Sequence, residues 1–316
     1  MRGSWLSILA LLGVPFLAAS SHASEPLPPS EAAALLQRIA DASRRMGYEG
    51  VFLFQHDGSV QTLMVSNRPS GGVMESRLIT MDGTQREVRC TQQSSVTLMI
   101  NGTQLRLEKR LNNRHFPDLL PENAAPLANW YSVRLGAPDR VAGRECGNVE
   151  LTPKDLFRWG YLLCIDRTTS FPLRAVMVNG EGQPLMQYSF GEIRLGALPK
   201  ADPRPMPPVP DAAKPVANER IVANGLPPGF TRIAAVRRQL PNRSDEVEHW
   251  VFSDGLTHVS LFLEPARQPV EAIKGQSKQG MINMIKRQVG GFQATILGEA
   301  PWATVESIAL GLEEKR

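Results

Sequence analysis

Short apolar runs joined by Asp-Gly or Asn-Gly dipeptides fill the first third of the chain and restrict its fold more than any other feature. A two-residue hairpin turn needs a positive φ at both central residues, which Asn, Asp and Gly tolerate best. The dipeptides at 57–58, 82–83 and 101–102 therefore predict antiparallel hairpins. Their strands are expected at residues 48–56 and 60–66, 73–81 and 85–91, and 96–100 and 104–110.

The strand pattern resumes after a proline-containing loop at residues 114–128. Further strands are expected to begin near Tyr131, Arg140, Trp159 and Pro172. A single amphipathic helix precedes all the strands, and we expect Ser30 to cap its N-terminus and Gly47 to end it. About ten antiparallel strands and one helix predict a mainly β domain, in which a large curved sheet or unclosed barrel packs on the helix.

A second, smaller domain is expected after a proline-dense segment that predicts a semi-rigid linker. Strand patterns at residues 230–240, 247–252, 257–263, 281–289 and 292–297 precede a closing helix after Pro301. The apolar stripe of that helix is expected to consist of Val305, Ile308, Ala309 and Leu312. We therefore divide the chain into a signal peptide at 1–23, an unclosed barrel at 24–198, a linker at 199–220 and a small α+β domain at 221–316.

The N-terminal segment is typical of an export signal. Arg2 is the only charged side chain before residue 25, an apolar run extends from Trp5 to Ala19, and small residues occupy Ser21 and Ala23. The run is shorter than the roughly 20 apolar residues that span a bilayer. We expect cleavage near Ala23 and a soluble exported protein, with no cysteine at the new N-terminus for lipid attachment.

The net charge limits which kinds of partner the protein can be expected to bind. The formal net charge of +4 falls to +3 when Arg2 leaves with the signal peptide, and the other basic residues are scattered. Export also separates the protein from nucleic acid, so no nucleic-acid partner is expected. An anionic lipid or an acidic protein segment is the expected electrostatic partner.

Three cysteines, Cys90, Cys146 and Cys164, lie in the larger domain without the spacing of a metal site. An oxidising compartment permits one disulfide. Cys146 and Cys164 flank a turn centred near Asp155, which would place them opposite each other on paired strands. We predict that they are bonded; two independent buried thiols are the alternative.

No catalytic machinery is recognisable. None of the histidines lies in a nucleophile motif such as G-x-S-x-G, and the metal motif H-E-x-x-H does not occur. His56 and His115 are expected at the surface, and His249 and His258 as a pair across a hairpin. The chain is therefore expected to be a binding protein without cofactor or metal, not an enzyme.

The first strand suggests what is bound. Phe52 and Phe54 alternate with Val51 and Leu53, so the strand is apolar on both faces and needs two covers. The helix can supply one cover, and a bound acyl chain could supply the other. The candidate lining of this lipid groove consists of Phe52, Phe54, Met64, Trp130, Trp159 and Tyr161. Ordinary core packing is the alternative for these side chains.

Several motifs resemble the RseB/MucB family and occur in the family's order along essentially the whole mature chain. In the larger domain they are YEGVF from Tyr48, ESRL from Glu75, DG from Asp82, REV from Arg86, RVAGR from Arg140, WGY from Trp159 and PLR from Pro172. In the smaller domain they are LPPGF from Leu226, VFSDGL from Val251 and GEAP from Gly298. Each motif is weak alone, but the set is specific.

The resemblance implies a Gram-negative periplasmic regulator of the sigma-E (AlgU-type) envelope-stress response. Such proteins bind the periplasmic region of a membrane anti-sigma factor of the RseA or MucA type and shield it from the first, DegS-like protease. The resemblance also implies that lipopolysaccharide-type lipids release them. The large domain would resemble the lipoprotein carriers LolA and LolB. Cys164 stands where an aromatic residue is expected in the family, a departure that favours its pairing with Cys146.

The resemblance leaves the binding residues and one rival function open. Trp250 and Phe252 share one face of a predicted strand and are candidate anchors for the anti-sigma segment, with core packing as the alternative. The rival function is a periplasmic lipid or lipoprotein carrier without a regulatory partner. The second domain argues against it, because a bare carrier needs only the barrel. The sequence does not determine the oligomeric state and is compatible with a homo-oligomer.

Overall fold

A computed structural model describes residues 25–70, 73–84, 86–91, 95–101, 104–109, 115–196, 214–216, 220–239, 245–266, 273–276 and 281–315. The predicted signal peptide and its cleavage point near Ala23 lie outside these residues, as does most of the predicted linker. Among the described residues, no helix combines the length and the apolar character needed to cross a membrane.

The described part of the chain forms twenty strands and three helices, divided between two domains. The larger domain contains α1 (Pro29–Arg45), β1 (Tyr48–His56), β2 (Ser59–Ser70), β3 (Val73–Thr80), β4 (Arg86–Thr91), β5 (Ser95–Asn101), β6 (Gln104–Lys109), α2 (Leu127–Trp130), β7 (Tyr131–Val141), β8 (Arg144–Pro153), β9 (Gly160–Asp166), β10 (Pro172–Val178) and β11 (Pro184–Leu195). The smaller domain contains β12 (Lys214–Pro215), β13 (Ile221–Ala223), β14 (Thr231–Gln239), β15 (Glu246–Ser253), β16 (His258–Pro265), β17 (Ile273–Gln276), β18 (Asn283–Val289), β19 (Phe292–Gly298), α3 (Trp302–Leu310) and β20 (Leu312–Glu314).

One antiparallel sheet builds the larger domain. Its strand order is β6-β5-β4-β3-β2-β1-β11-β10-β9-β8-β7, so β11 returns beside β1 and the described ladder ends at β6 and β7. The fold is therefore the mainly β, unclosed antiparallel barrel that the hairpin pattern predicts. Leu36 and Ile39 of α1 are buried in the same core as Tyr48 and Phe52 of β1, so the helix covers one face of the sheet.

The start of α1 differs from the prediction. Pro28 is the N-cap, no side chain caps the helix, and Ser30 lies inside the first turn, so the predicted Ser30 cap is wrong. Proline suits this place because the first helical N–H groups have no partner within the helix. Pro28 and Pro29 together therefore begin the helix without a side-chain cap.

The turn between β1 and β2 lies where the sequence predicts it, but the turn between β7 and β8 does not. Asp57 and Gly58 join β1 to β2 with φ values of 46° and 72°, as the dipeptide predicts. A strand was expected to begin at Arg140, but Arg140 belongs to β7. The turn follows at Ala142 and Gly143, with φ values of 48° and 75°. Alanine rarely adopts a positive φ, so the sequence carries only a weak signal there.

The cover of β1 is one-sided. Tyr48 and Phe52 face the core and are each 1% exposed. Leu53, on the opposite face, is 46% exposed. Nothing in the described structure covers Leu53, so the expectation that both faces of β1 are covered is wrong there. A groove on β1 is therefore expected on the face that also packs against α1.

The smaller domain is a seven-stranded sheet in the order β12-β14-β15-β16-β19-β18-β17, with α3 against β18 and β19 and a separate ladder of β13 and β20. Lys214 pairs with Arg237 of β14, so this part of the predicted linker joins the smaller domain. Leu312 was expected on the closing helix but lies in β20, because the helix ends at Leu310 and Gly311 follows as its C-cap. The α+β class is as predicted.

Candidate binding site

A cavity of about 690 Å³ lies between the two domains. The larger domain lines it with Phe52, Phe54, Gln61, Leu63, Leu78, Thr80, Arg86, Val88, His115, Phe116, Leu119, Tyr161, Ala175, Met177, Met186 and Tyr188. The smaller domain lines it with Arg238, His249, Val251, Leu256, Thr257, His258, Ser260 and Glu299. Its volume falls within the roughly 300–1,000 Å³ of small-molecule sites.

Aromatic rings cover the wall that the larger domain contributes. Pairing of β1 with β11 places Phe54 opposite Tyr188, and the two rings stack with centroids 4.6 Å apart. The ring of Phe116 stacks on Tyr188 at 5.2 Å and meets the edge of Phe52 at 5.1 Å. Burial raises the pKa of the Tyr188 hydroxyl, which therefore stays protonated. This aromatic wall can hold an acyl chain by apolar contact.

Polar side chains are concentrated on the wall that the smaller domain contributes. Nε2 of His249 on β15 is hydrogen-bonded to Oγ of Ser260 on β16 at 3.0 Å. The imidazole also stacks on Phe262 with centroids 4.3 Å apart. Burial, assisted by the charge of Arg238, lowers the pKa of His249 to about 4, so the ring is neutral near pH 7. The cavity is therefore apolar on one side and hydrogen-bonding on the other.

Arg158, between β8 and β9, joins the two domains. Its Nε donates to Oδ2 of Asp254 at 2.8 Å, and neither side chain is exposed. Its Nη2 donates to the carbonyl oxygen of Pro228. The guanidinium carbon lies 5.1 Å from the ring centre of Trp130 and 5.4 Å from that of Phe230. A buried arginine thus receives partners from both domains, as a buried charge requires.

Two further contacts hold the domains together. Oγ1 of Thr304 on α3 donates to the carbonyl oxygen of Phe157 at 2.6 Å. The backbone at Gly229 lies so close to Trp130 that an added Cβ would come within 2.5 Å of the indole ring. Gly229 also has a φ of +79°, which glycine adopts without strain. These contacts set the placement of the smaller domain over the groove.

The predicted disulfide between Cys146 and Cys164 is present, with Cα atoms 5.5 Å apart. The register pairs Cys146 with Asp166 and Cys164 with Asn148, so the cysteines are diagonal neighbours on β8 and β9 rather than directly opposite. Both are fully buried, and Cys90 is a separate buried thiol. Within the described residues, no group of three or more His, Cys, Asp or Glu side chains could hold a metal ion.

Family models match both halves of the chain. The MucB/RseB N-terminal domain matches residues 31–210, and the MucB/RseB C-terminal domain matches residues 216–313. The chain belongs to the MucB/RseB family. A curated relative, the sigma factor AlgU regulatory protein MucB of Pseudomonas aeruginosa, is 30% identical over 97% of this chain and 96% of its own length. The sigma-E factor regulatory protein RseB of Escherichia coli K12 is 25% identical over 98% of this chain and 97% of its own length.

Solved MucB structures share the fold. The structure of the Pseudomonas aeruginosa MucA/MucB complex superposes with a TM-score of 0.72 at 28% identity, covering 90% of this chain and 99% of that chain. A crystal structure of MucB alone gives a TM-score of 0.63 at 27% identity, covering 90% and 98%. MucB/RseB proteins are regulatory binding proteins, so this family member is not an enzyme.

The predicted groove residues fall into two sets in this MucB/RseB protein. Phe52, Phe54 and Tyr161 line the cavity. Met64 does not, because its neighbour Leu63 faces the cavity and adjacent strand residues point to opposite faces. The two predicted tryptophans lie elsewhere: Trp130 packs at the domain junction, and Trp159 is half-buried against the core of the larger domain.

The two candidate partner anchors are core residues. Trp250 and Phe252 are 0% exposed and belong to the core of the smaller domain. The guanidinium of Arg232 also lies 4.5 Å from the ring centre of Trp250. Their burial favours the alternative of core packing, and their role as anchors for an anti-sigma segment stays a prediction.

The histidines are the functional candidates that sequence reasoning missed. His115, expected at the surface, lines the cavity beside Phe116. His249 is paired with Phe262, and His258 with Ser253, so the two histidines do not face each other as predicted. Both line the cavity. Because His249 and Val251 are two residues apart in a strand, the sequence predicts that both side chains lie on the same face. No feature of the neighbouring sequence predicts that this face lies against the larger domain.

Proposed function

We propose that this protein is a periplasmic regulator that binds the periplasmic region of a membrane anti-sigma factor of the MucA/RseA type. In that complex it shields the anti-sigma factor from the first protease of the envelope-stress pathway, and lipopolysaccharide-type lipids release it. The single observation that carries the lipid part of the proposal is the cavity between the two domains. An acyl chain on its aromatic wall contacts the larger domain while the polar end contacts the smaller one.

The partner part of the proposal is supported by the solved relatives. MucB has been solved with MucA, and the MucA-bound structure superposes on this chain better than MucB alone, with TM-scores of 0.72 and 0.63 at the same 90% coverage. This difference favours a domain arrangement that is competent for an anti-sigma segment. Export by the predicted signal peptide puts the protein in the compartment where such a segment is exposed.

Release follows from competition between two ligands for one domain arrangement. A lipid that enters between the domains contacts both walls, so its affinity depends on how the domains are placed. If the lipid binds the released arrangement more tightly than the anti-sigma-bound one, occupancy of the cavity weakens anti-sigma binding by the same factor. A tenfold weakening requires a difference of about 1.4 kcal/mol.

The test is a titration of a fluorescently labelled anti-sigma periplasmic segment with the mature protein, followed by anisotropy. We expect binding at micromolar affinity or better, weakened by lipopolysaccharide. Deacylated lipopolysaccharide is the matched control, because it keeps the charged sugar and loses the chains that the aromatic wall would hold. In parallel, the site-1 protease should cut the segment more slowly when the protein is present.

The outcomes separate the two candidate functions. Binding that acylated lipid weakens and deacylated lipid does not supports the regulator. Absence of segment binding together with lipid uptake would favour a periplasmic lipid or lipoprotein carrier, for which the 690 Å³ cavity is the supporting observation. Equal effects of both lipid forms would mean that charge, and not the acyl chain, drives release.

A further inference from the structure

Glu299, which directly follows β19, is the single acidic side chain among the described residues that line the cavity. It keeps an exposed surface although protein surrounds it on most sides, as expected at the mouth of a cavity. Within the described part of the chain, its carboxylate receives no hydrogen bond. Burial raises the pKa of this carboxyl, because water solvates the charge less well there. A cationic ligand group would replace the lost solvation.

The larger domain places the hydroxyl of Tyr188 near this carboxylate. Burial and the charge of Glu299 raise the pKa of Tyr188, so its oxygen stays neutral and can accept a hydrogen bond. Its ring is held by stacking on Phe54 and Phe116, with centroids 4.6 Å and 5.2 Å away. His56, whose ring stacks on Phe54, is also close enough for its charge to oppose the rise in the Glu299 pKa. Glu299 therefore faces the His56 end of the aromatic wall.

The two arginines of the cavity lining lie far from Glu299. Arg86 is on β4, three strands from β1 in the sheet and about 14 Å away. On the smaller domain's sheet, Glu299 lies level with Ser253 at the end of β15, whereas Arg238 pairs with Val247. Six residues of β15 separate these two levels, which is about 20 Å of strand. Both distances exceed the Debye length of about 8 Å, so neither arginine pairs with Glu299 or strongly repels a cation beside it.

The chemistry of the two side chains selects the ligand group. An ionised carboxylate and a phenol oxygen both accept hydrogen bonds, and the carboxylate adds a negative charge. A primary ammonium carries three donors, no acceptor and a positive charge, so it matches both side chains. A hydroxyl can donate only one hydrogen bond and brings no charge, and a carboxylate would be repelled.

We propose that Glu299 and Tyr188 bind a primary ammonium group that is joined to an apolar chain on the aromatic wall. The inference rests on the proposed lipid occupancy of the cavity and adds the chemistry of the headgroup. Glu299 belongs to the smaller domain and Tyr188 to the larger one. A lipid with an ammonium group therefore bridges the domains at the mouth of the cavity, whereas a bare chain lies on the aromatic wall alone.

The test compares three amphiphiles of equal chain length, decylamine, 1-decanol and decanoate. Each is used at pH 8 to displace the fluorescent dye N-phenyl-1-naphthylamine from the full mature protein. We expect Glu299→Gln to bind decylamine about tenfold more weakly than the wild type, as the loss of one charge-assisted hydrogen bond predicts. The same variant should bind decanol within about twofold of the wild type, and decanoate at least as tightly, because a like charge has been removed.

A second variant and two controls complete the comparison. Tyr188→Phe keeps the stacked ring, removes one acceptor and should weaken decylamine about threefold. Glu181→Gln makes the same change of net charge at an exposed turn that does not line the cavity. Tyr161→Phe removes a hydroxyl from another tyrosine of the lining, on β9, two strands away from β11. Both controls should bind decylamine as the wild type does.

The possible results distinguish the ammonium subsite from the function on which it rests. Unchanged decylamine affinity in both Glu299→Gln and Tyr188→Phe, or equal weakening of decylamine and decanoate by Glu299→Gln, would overturn the subsite and leave the lipid site intact. Failure of all three amphiphiles to displace the dye from the wild type would overturn lipid occupancy itself. Ethanolamine has the ammonium without the chain, so displacement by it at the same concentrations would overturn the role of the chain. Circular dichroism checks that each variant is folded.

Discussion

At the scale of single residues, His249 makes the stability of the protein depend on pH. Its pKa is about 4 in the folded protein against an ordinary value of 6.5, so the unfolded chain binds more protons between these values. The contribution of His249 is complete above pH 6.5 and is lost as the pH falls toward 4. We expect the titration of His249 to lower the free energy of unfolding by about 2 kcal/mol when the pH falls from 7 to 4.5. Urea denaturation at the two pH values measures this change.

Other side chains also titrate in this range, so the measurement is a comparison of variants. His249→Gln should lose about 2 kcal/mol less than the wild type over the same pH interval. The assignment to His249 is contradicted if this variant and the wild type lose the same free energy.

Which individual groove residues could be predicted depended on the secondary structure around them. Alternate residues of a strand share a face, so Phe52 and Phe54 could be predicted to lie on the same side of β1. The same rule puts only one of the neighbours Leu63 and Met64 on the cavity side. Both are apolar, so the pattern does not tell which of the two faces the cavity, and the prediction of Met64 was wrong. Trp130 lies at the end of the short helix α2, where no periodicity constrains its direction, and it packs at the domain junction instead.

At the scale of elements, the pairing of β1 with β11 depends on a glycine. A Cβ added at Gly50 would lie 2.5 Å from the carbonyl oxygen of Glu192 and 2.8 Å from Cδ1 of Ile193. We expect Gly50→Ala to reduce the free energy of unfolding by about 1–3 kcal/mol, because the strands must move apart. Urea denaturation measures the loss. Gly191→Ala on the partner strand is the control, since its added Cβ would meet only the Val51 carbonyl oxygen at 3.9 Å.

The hairpin of β8 and β9 depends on its disulfide. Closing a loop with a sequence separation of 18 residues restricts the unfolded chain and stabilises the protein by about 3 kcal/mol. We expect Cys146→Ala with Cys164→Ala to lose about this much in urea denaturation and to become insensitive to dithiothreitol. Cys90→Ala should keep the reductant sensitivity of the wild type, because it leaves the disulfide intact. A double variant still destabilised by reductant would contradict the pairing.

At the scale of the whole molecule, the order of the two domains could be predicted, but the cavity between them could not. Composition and turn signals mark each domain locally. The cavity needs Phe54 and His249 on facing walls, and these residues are almost two hundred positions apart. Their placement depends on buried contacts between the domains, such as that of Arg158 with Asp254. In the sequence, Arg158 looks like an ordinary loop residue and Asp254 like an ordinary turn residue, so their contact could not be predicted.

The pair of Arg158 and Asp254 therefore offers a direct test of how the domains are held. Oδ1 of Asp254 accepts from the N–H groups of Leu256 and Thr257, and Oδ2 accepts from Arg158. Asp254→Asn keeps the first oxygen and its turn, but places an amide donor against the Arg158 donor. Because both side chains are fully buried, breaking this pair should cost about 3 kcal/mol of interaction between the domains.

Loss of that interaction should let the smaller domain move without unfolding it. Spin labels are attached at Glu181 and Leu310 in a Cys90→Ala background, and pulsed EPR measures the distance between them. We expect one narrow distance distribution in this parent and a broad one in Asp254→Asn. Asp139→Asn is the matched control: Asp139 also binds an arginine, Arg174, at 2.5 Å, but within the larger domain. It should leave the distribution narrow. A narrow distribution in Asp254→Asn as well would mean that the other cross-domain contacts hold the cavity walls together without the buried ion pair.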